Sequence, residues 1–362
     1  MTIAAPPGGT PDTKRRGDLD RGLVARVCLA GLALGYTLLG WTKGQQAIDH
    51  HIDLRTFALM RHGSGYYDAM NRAMREVGHA PVDEVRAFRM PTVFLVWRWL
   101  PDDRAIWIVF VAMVVLTAMI TFRLTRFEFV APLLALLLLA TGKLRSGAGW
   151  LDQFAVVELW VAPASVAALL AWKREKRALA AWLAFAAFAI RELTAGMLVF
   201  GLISSLRTGR ARMHWVCACA SGALLYLVHG DLAAKYIVEH GKGVQLPLFG
   251  TGGGGAVVAM MGFGLPLGAV VGPVLWSAAV ARCWRVRNHL ALGLLAVPLC
   301  GVSIARPYWG LVSLPAVVIF GTEGMADLLA SPIWPRPSWG RIRDRQPAGP
   351  SADRPIPSSR AR

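Results

Sequence analysis

Asp53, Glu158, Arg191, Glu192 and Arg306 are the side chains best suited to polar chemistry on an otherwise apolar chain. Each stands at or near the edge of a hydrophobic block. A carboxylate there can take a proton from a hydroxyl, and a guanidinium can hold a phosphate or orient a carboxylate. Ionisable groups at membrane depth are costly, so their default reading is a function or a pairing with another charge. Plainer roles stand beside the chemical ones. Arg191 and Glu192 are neighbours that can neutralise each other or be solvated at a turn, and Glu158 can pair with Lys143, Arg145 or an arginine of another helix. Asp53 can be an ordinary loop acid. Tyr308 and Trp309, after Arg306-Pro307, suit plain interfacial aromatics. His50, His51 and Asp53 could ligate a metal, but adjacent histidines seldom face one ion. No cofactor is firmly implied, and a divalent metal has no clear ligand set.

Other motifs add little. The sequence has no phosphate-binding loop, HExxH, GxSxG in a helical context or dinucleotide fingerprint. Gly252 to Gly255 lack the Lys and Ser/Thr of a phosphate cradle and read as a flexible connection. Cys28, Cys217, Cys219, Cys283 and Cys300 lie in or at the ends of apolar segments, without the spacing of a disulfide framework or a zinc site.

The elements that must position these groups are apolar helices. Of the 362 residues, 55% are hydrophobic and 17% charged, with a mean hydropathy of +0.46. The apolar residues come in blocks rather than amphipathic stripes, which predicts an all-α, polytopic membrane bundle of about ten transmembrane helices. They are placed near 22–41, 104–122, 127–142, 154–172, 178–190, 193–206, 214–228, 256–281, 288–304 and 311–329. The segment 178–206 could be one long tilted helix, but Arg191-Glu192 in its middle and the basic clusters at both ends favour a tight hairpin. The formal charge is +17, but the basic residues cluster between apolar blocks and in the tails, which fits anionic lipid and excludes nucleic acid as the partner.

Arg123/Arg126, Lys173 to Arg177, Arg207/Arg210/Arg212 and Arg282/Arg285/Arg287 fall on alternate connections. The positive-inside rule makes that side of the cell membrane cytoplasmic, together with a basic N-terminal tail at 1–21 and a disordered basic tail at 330–362. The multi-pass region is 22–329. The other face, periplasmic or extracellular, then carries the outer loop 42–103 and the ionisable cluster. Within that loop, Tyr66, Met70, Ala73, Met74 and Val77 recur at helical spacing, so 66–77 reads as an amphipathic helix in the interface. Arg89-Met90-Pro91 opens a second, short apolar helix.

Asp53-Leu54-Arg55, Gly65-Tyr66-Tyr67-Asp68-Ala69 and Phe88-Arg89-Met90-Pro91 resemble the first outer loop of the GT-C class of integral membrane glycosyltransferases. Glu158-Leu159-Trp160, Arg191-Glu192-Leu193 and Arg306-Pro307-Tyr308-Trp309-Gly310 are similar to later segments of such bacterial multi-pass proteins. The resemblance implies sugar transfer from a polyprenyl-phosphate donor to a lipid or glycan acceptor on the non-cytoplasmic face. It implies Asp53 as general base and Arg89, Glu158, Arg191, Glu192, Arg306 and Tyr308 as substrate-binding residues. Tyr66, Tyr67, Met70 and Met74 would line the groove for the carrier lipid. Two other classes fit the same pattern: a transporter or flippase for a lipid-linked substrate, and a non-catalytic subunit of an envelope-building assembly.

Overall fold

Every regular element in the computed structural model is helical, and among the described residues there is no strand. The structure describes residues 45–77, 88–146, 154, 156–206, 209–238, 261, 268–302 and 307–329. The expected helix at 22–41 and both tails lie outside the described residues.

The helices are α1 (Gln45–Arg61), α2 (Tyr66–Glu76), α3 (Thr92–Arg98), α4 (Asp103–Leu124), α5 (Val130–Ser146) and α6 (Ala162–Lys173). There follow α7 (Arg177–Ile190), α8 (Ala195–Ser205), α9 (Gly209–Val238), α10 (Gly268–Arg285) and α11 (His289–Leu295). The last, α12 (Gly310–Leu329), contains one π turn at Val317–Gly321. Local signals set several ends. Asp102 caps α4 by accepting from the Ala105 amide at 2.7 Å, and Asn288 caps α11 through the Ala291 amide at 3.2 Å. Pro163 occupies the first turn of α6, where no amide donor is needed.

Among the described residues, three helices are long and apolar enough to cross a membrane: α4, Ala211–Tyr236 within α9, and α12. Val130–Thr141, Arg177–Ile190, Glu192–Ser205 and His289–Leu299 are apolar but shorter. The expectation of about ten spans is met only in part: the first lies outside the described residues, and among the described residues three helices reach spanning length. α12 is the central one, with 83% of its apolar window buried, whereas only 28% of that of α4 is buried. Ile108, Met119, Leu224 and Leu227 are exposed by 59% to 69%. An apolar outer surface of that kind suits hydrocarbon rather than water.

The basic connections meet at one end of the bundle. Lys173 Nζ donates to the Leu124 carbonyl at 2.5 Å, and Arg177 stacks 3.6 Å above the Trp172 ring. The Trp172 ring also approaches His289, which in turn contacts Ser204. α7 and α8 thus both return to this end, as a hairpin that turns at Arg191. Here Glu323 and Asp327 of α12 hold Arg282 of α10 at 3.1 and 3.0 Å, and Asp327 also takes Arg126 at 2.6 Å and Arg285 at 3.2 Å.

Small residues let the helices close up. A Cβ on Gly196 of α8 would overlap the backbone of Gly293 in α11, and the reverse is also true. Packing of this type gives dispersion contact where lipid removes the usual hydrophobic drive.

One expectation about the outer loop changes. Tyr66, Met70, Ala73 and Met74 do share a face of α2, but that face is buried in the protein core instead of lying on lipid. α2 packs along α1, and Met70 Sδ accepts a hydrogen bond from Thr56 Oγ1 at 3.1 Å. α3 is anchored likewise by Val93, Phe94 and Trp97, while Leu95, Val96 and Trp99 point outward.

Candidate functional site

Asp53 belongs to the inward stripe of α1 with Phe57 and Met60, one and two turns on. This stripe meets a nest of aromatic rings centred on Trp97. Its ring lies 5.8 Å from Phe57, 5.0 Å from Phe94, 5.1 Å from Phe154 and 5.6 Å from Trp160. Such edge and tilted pairs each add roughly 0.5–1.5 kcal/mol beyond burial. Trp160 also donates to the Phe154 carbonyl at 2.7 Å, which fixes the single-turn 3-10 helix Val157–Val161 that carries Glu158.

Two charge clusters result. The first is an ion pair between Asp53 and Arg89, whose side chains are 2% and 8% exposed. The second centres on Arg191, where the backbone turns extended (φ −149°, ψ 115°) after the last residue of α7. Its Nη2 lies 3.1 Å from Glu158 Oε1 and its Nη1 lies 2.7 Å from Glu192 Oε1. A charge taken from water is tolerable only when paired and hydrogen-bonded, so each cluster makes the other member's burial possible.

The clusters are stitched together. Tyr66 donates to the Arg89 carbonyl at 2.5 Å, and Thr92 donates to the Ala189 carbonyl, two residues before Arg191, also at 2.5 Å. The Tyr66 hydroxyl is held well above its ordinary pKa by burial first, then by Tyr67 and by the charge of Glu192, with Arg191 opposing. It therefore stays a donor to the backbone of the first cluster.

His229 of α9 completes this end, and sequence reasoning did not single it out. Its Nδ1 lies 2.9 Å from the Tyr67 hydroxyl and its Nε2 lies 3.0 Å from the Phe88 carbonyl. The carbonyl can only accept, so Nε2 carries a proton, and in the neutral ring Nδ1 then accepts from Tyr67. Burial pushes the Tyr67 hydroxyl up to about 12, which keeps it a donor. A lone His in an apolar run gives no sequence signal for this bridge.

The structure thus brings Asp53, Arg89, Glu158, Arg191 and Glu192 into two adjoining clusters. The 3-10 turn Pro307–Ser313, which carries Tyr308, packs against the turns bearing Glu158 and Glu192. Arg306 and the Tyr308 side chain lie outside the described residues. Tyr66, Met70 and Met74 sit in the core and Tyr67 is half-buried, so they support the site from within and do not line an open groove. Among the described residues no group of three His, Cys, Asp or Glu side chains is placed to hold a metal ion.

No protein-family model, curated protein or solved structure matches this chain. What the site can do is therefore argued from its chemistry. Both described arginines are committed to carboxylates, so they orient acids more readily than they clamp a free phosphate.

Proposed function

We propose that this chain is a membrane-embedded glycosyltransferase that moves a sugar from a polyprenyl-phosphate carrier to an acceptor on the non-cytoplasmic face. The observation that carries the reading is the gathering of Asp53–Arg89 and Glu158–Arg191–Glu192 at the end of the bundle opposite the basic connections. With the basic end facing the cytoplasm, these acids face outward. They also lie at depth. α7 has 14 residues, so it rises about 21 Å from the basic end to Arg191, against a hydrocarbon core of about 30 Å.

In this reading Asp53 takes the proton of the acceptor hydroxyl as the sugar–phosphate bond breaks. Positioned bases of this kind contribute about 10²–10⁴-fold. Arg89 aims the acid through their ion pair, and Arg191 holds Glu158 and Glu192 toward the sugar. Arg306 is left as the cation for the departing phosphate, since Arg89 and Arg191 are already engaged.

The test is glycolipid and envelope-glycan analysis after deletion of the gene. Deletion should remove one sugar, and wild-type protein should restore it. Asp53→Asn should reach the membrane at wild-type levels and fail to restore it. Full restoration by Asp53→Asn would overturn the assignment.

One observation favours a second reading. The short helices α7 and α8 form a hairpin with a buried arginine at its turn, and discontinuous elements of this sort build substrate sites in transporters. Movement of a lipid-linked substrate across vesicles without bond formation would select that reading.

A further inference from the structure

A groove of about 650 Å³ runs along α10. Met261 and one face of that helix line it, with Trp276, Val280, Ala281 and Trp284 along its length and Arg285 at the basic end. Trp276 is buried at one end of this stripe, whereas Trp284 is 73% exposed at the other. From Trp276 to Arg285 the helix rises about 14 Å. That is close to one leaflet's share of a hydrocarbon core about 30 Å thick. The groove opens on an apolar surface that includes exposed Val274 and Val280. In a bilayer that surface meets hydrocarbon, so a lipid acyl chain has the length and the chemistry to fill it.

The basic end sets the head group. The Arg285 side chain is 60% exposed and gives Nη1 to Asp327 Oδ2 at 3.2 Å. That carboxylate is shared with Arg126 and Arg282. A guanidinium has five N–H donors, so Arg285 keeps donors for a ligand on its exposed side. Segments 123–128 and 282–287 carry Arg123, Arg126, Arg282, Arg285 and Arg287, against Glu128 there and Glu323 and Asp327 on α12, a surplus of two positive charges. Such a surplus attracts a phosphate and repels the amine of a zwitterionic head group. Trp284, next to Arg285, suits the head-group level, where indole rings concentrate.

We infer that this groove is a site for an anionic phospholipid, with one acyl chain along α10 and the phosphate held by Arg285 beside Trp284. The site stands at the end of the bundle opposite Asp53. It rests on the chain's place in a membrane and not on the transferase reading.

The test uses the full chain in phosphatidylcholine nanodiscs doped with phosphatidylglycerol or phosphatidylcholine that carries one diazirine acyl chain. Phosphatidylglycerol should label the stretch from Trp276 to Ala281 several-fold more than phosphatidylcholine does. Ala281→Phe, which fills the groove from an exposed position, should lower that labelling to the phosphatidylcholine level. Arg285→Gln should shrink the preference for phosphatidylglycerol. Asp327 keeps Arg126 and Arg282 in that variant, so the bundle holds together. Free glycerol phosphate in large excess should not compete. Equal labelling by the two lipids, labelling elsewhere, a preference untouched by Arg285→Gln, or competition by glycerol phosphate would overturn the inference. Labelling needs neither donor nor turnover, so it is read separately from the Asp53→Asn experiment, and either can fail alone.

Discussion

Glu158 Oε1 and Arg191 Nη2 form an ion pair at 3.1 Å, with both side chains no more than 3% exposed. Glu192 supplies the second carboxylate at 2.7 Å. Breaking a buried pair from one side strands a charge and costs about 3–5 kcal/mol, whereas replacing all members together is far milder. Arg191→Met should therefore lower the thermal unfolding midpoint in detergent sharply. The triple variant Glu158→Gln, Arg191→Met, Glu192→Gln should recover most of that loss. A single variant as stable as wild type would mean that the acids do not depend on Arg191.

The contact of Gly196 with Gly293 makes a steric prediction. A Cβ at either position meets the opposing backbone, whereas one at Gly65 meets nothing within 4 Å. Forced overpacking costs roughly 1–3 kcal/mol. Gly196→Ala should thus reduce stability and monodispersity on gel filtration, and Gly65→Ala should leave both unchanged. Equal behaviour of the two variants would contradict the close approach of α8 and α11.

Much of this architecture was legible in the chain. Apolar blocks located most of the described helices but not α1, whose polar Gln45–Arg61 stretch puts Asp53 on a helix where a loop acid is expected. Arg191-Glu192 marked the turn between α7 and α8, because a charged pair interrupting an apolar run is hard to leave inside a helix on lipid. What spacing could not tell was the partner of each face. Tyr66, Met70 and Met74 fall on one side of α2, but periodicity is identical whether that side meets lipid or α1. Arg89 reads as a substrate-binding residue in the sequence, because its pairing with Asp53 joins segments distant in the chain. His229 was missed for the same reason: its partners, Tyr67 and Phe88, come from the outer loop. Glu323 and Asp327 give no signal in the sequence either. Their joint hold on Arg282 appears only when α10 and α12 lie side by side.

Arg55 and Glu76 join α1 to α2 by an exposed ion pair. The hydrogen bond from Arg55 holds the Glu76 carboxyl below its ordinary value, with burial opposing. A carboxyl depressed in the folded state stabilises fully above its ordinary pKa and loses that contribution as pH falls through the depressed value. The protection of α2 amides, taken relative to intrinsic exchange at each pH, should therefore be greatest at neutral pH and fall slightly on acidification below the usual carboxylate range. Glu76→Gln should show the lower protection already at neutral pH and remove this pH dependence. An unchanged pH profile in the variant would show that the pair does not hold α2 in place.

His229 links α9 to the segment that carries Arg89. It donates to the Phe88 carbonyl at 3.0 Å and accepts from Tyr67 at 2.9 Å. Removing the ring leaves two polar groups without this partner, at a cost of about 1–3 kcal/mol for each one stranded in the interior. The adjoining Arg89 guanidinium, and with it Asp53, should then lose its fixed position. On the transferase reading, His229→Ala should lower sugar transfer by at least tenfold while the protein still reaches the membrane. His229→Gln, whose amide can donate to the carbonyl and accept from the phenol, should restore part of the rate. Tyr67→Phe removes only the outer half of the bridge and should have the mildest effect. Transfer at the wild-type rate in His229→Ala would separate this bridge from the Asp53 site and leave it a purely structural tie between α2 and α9.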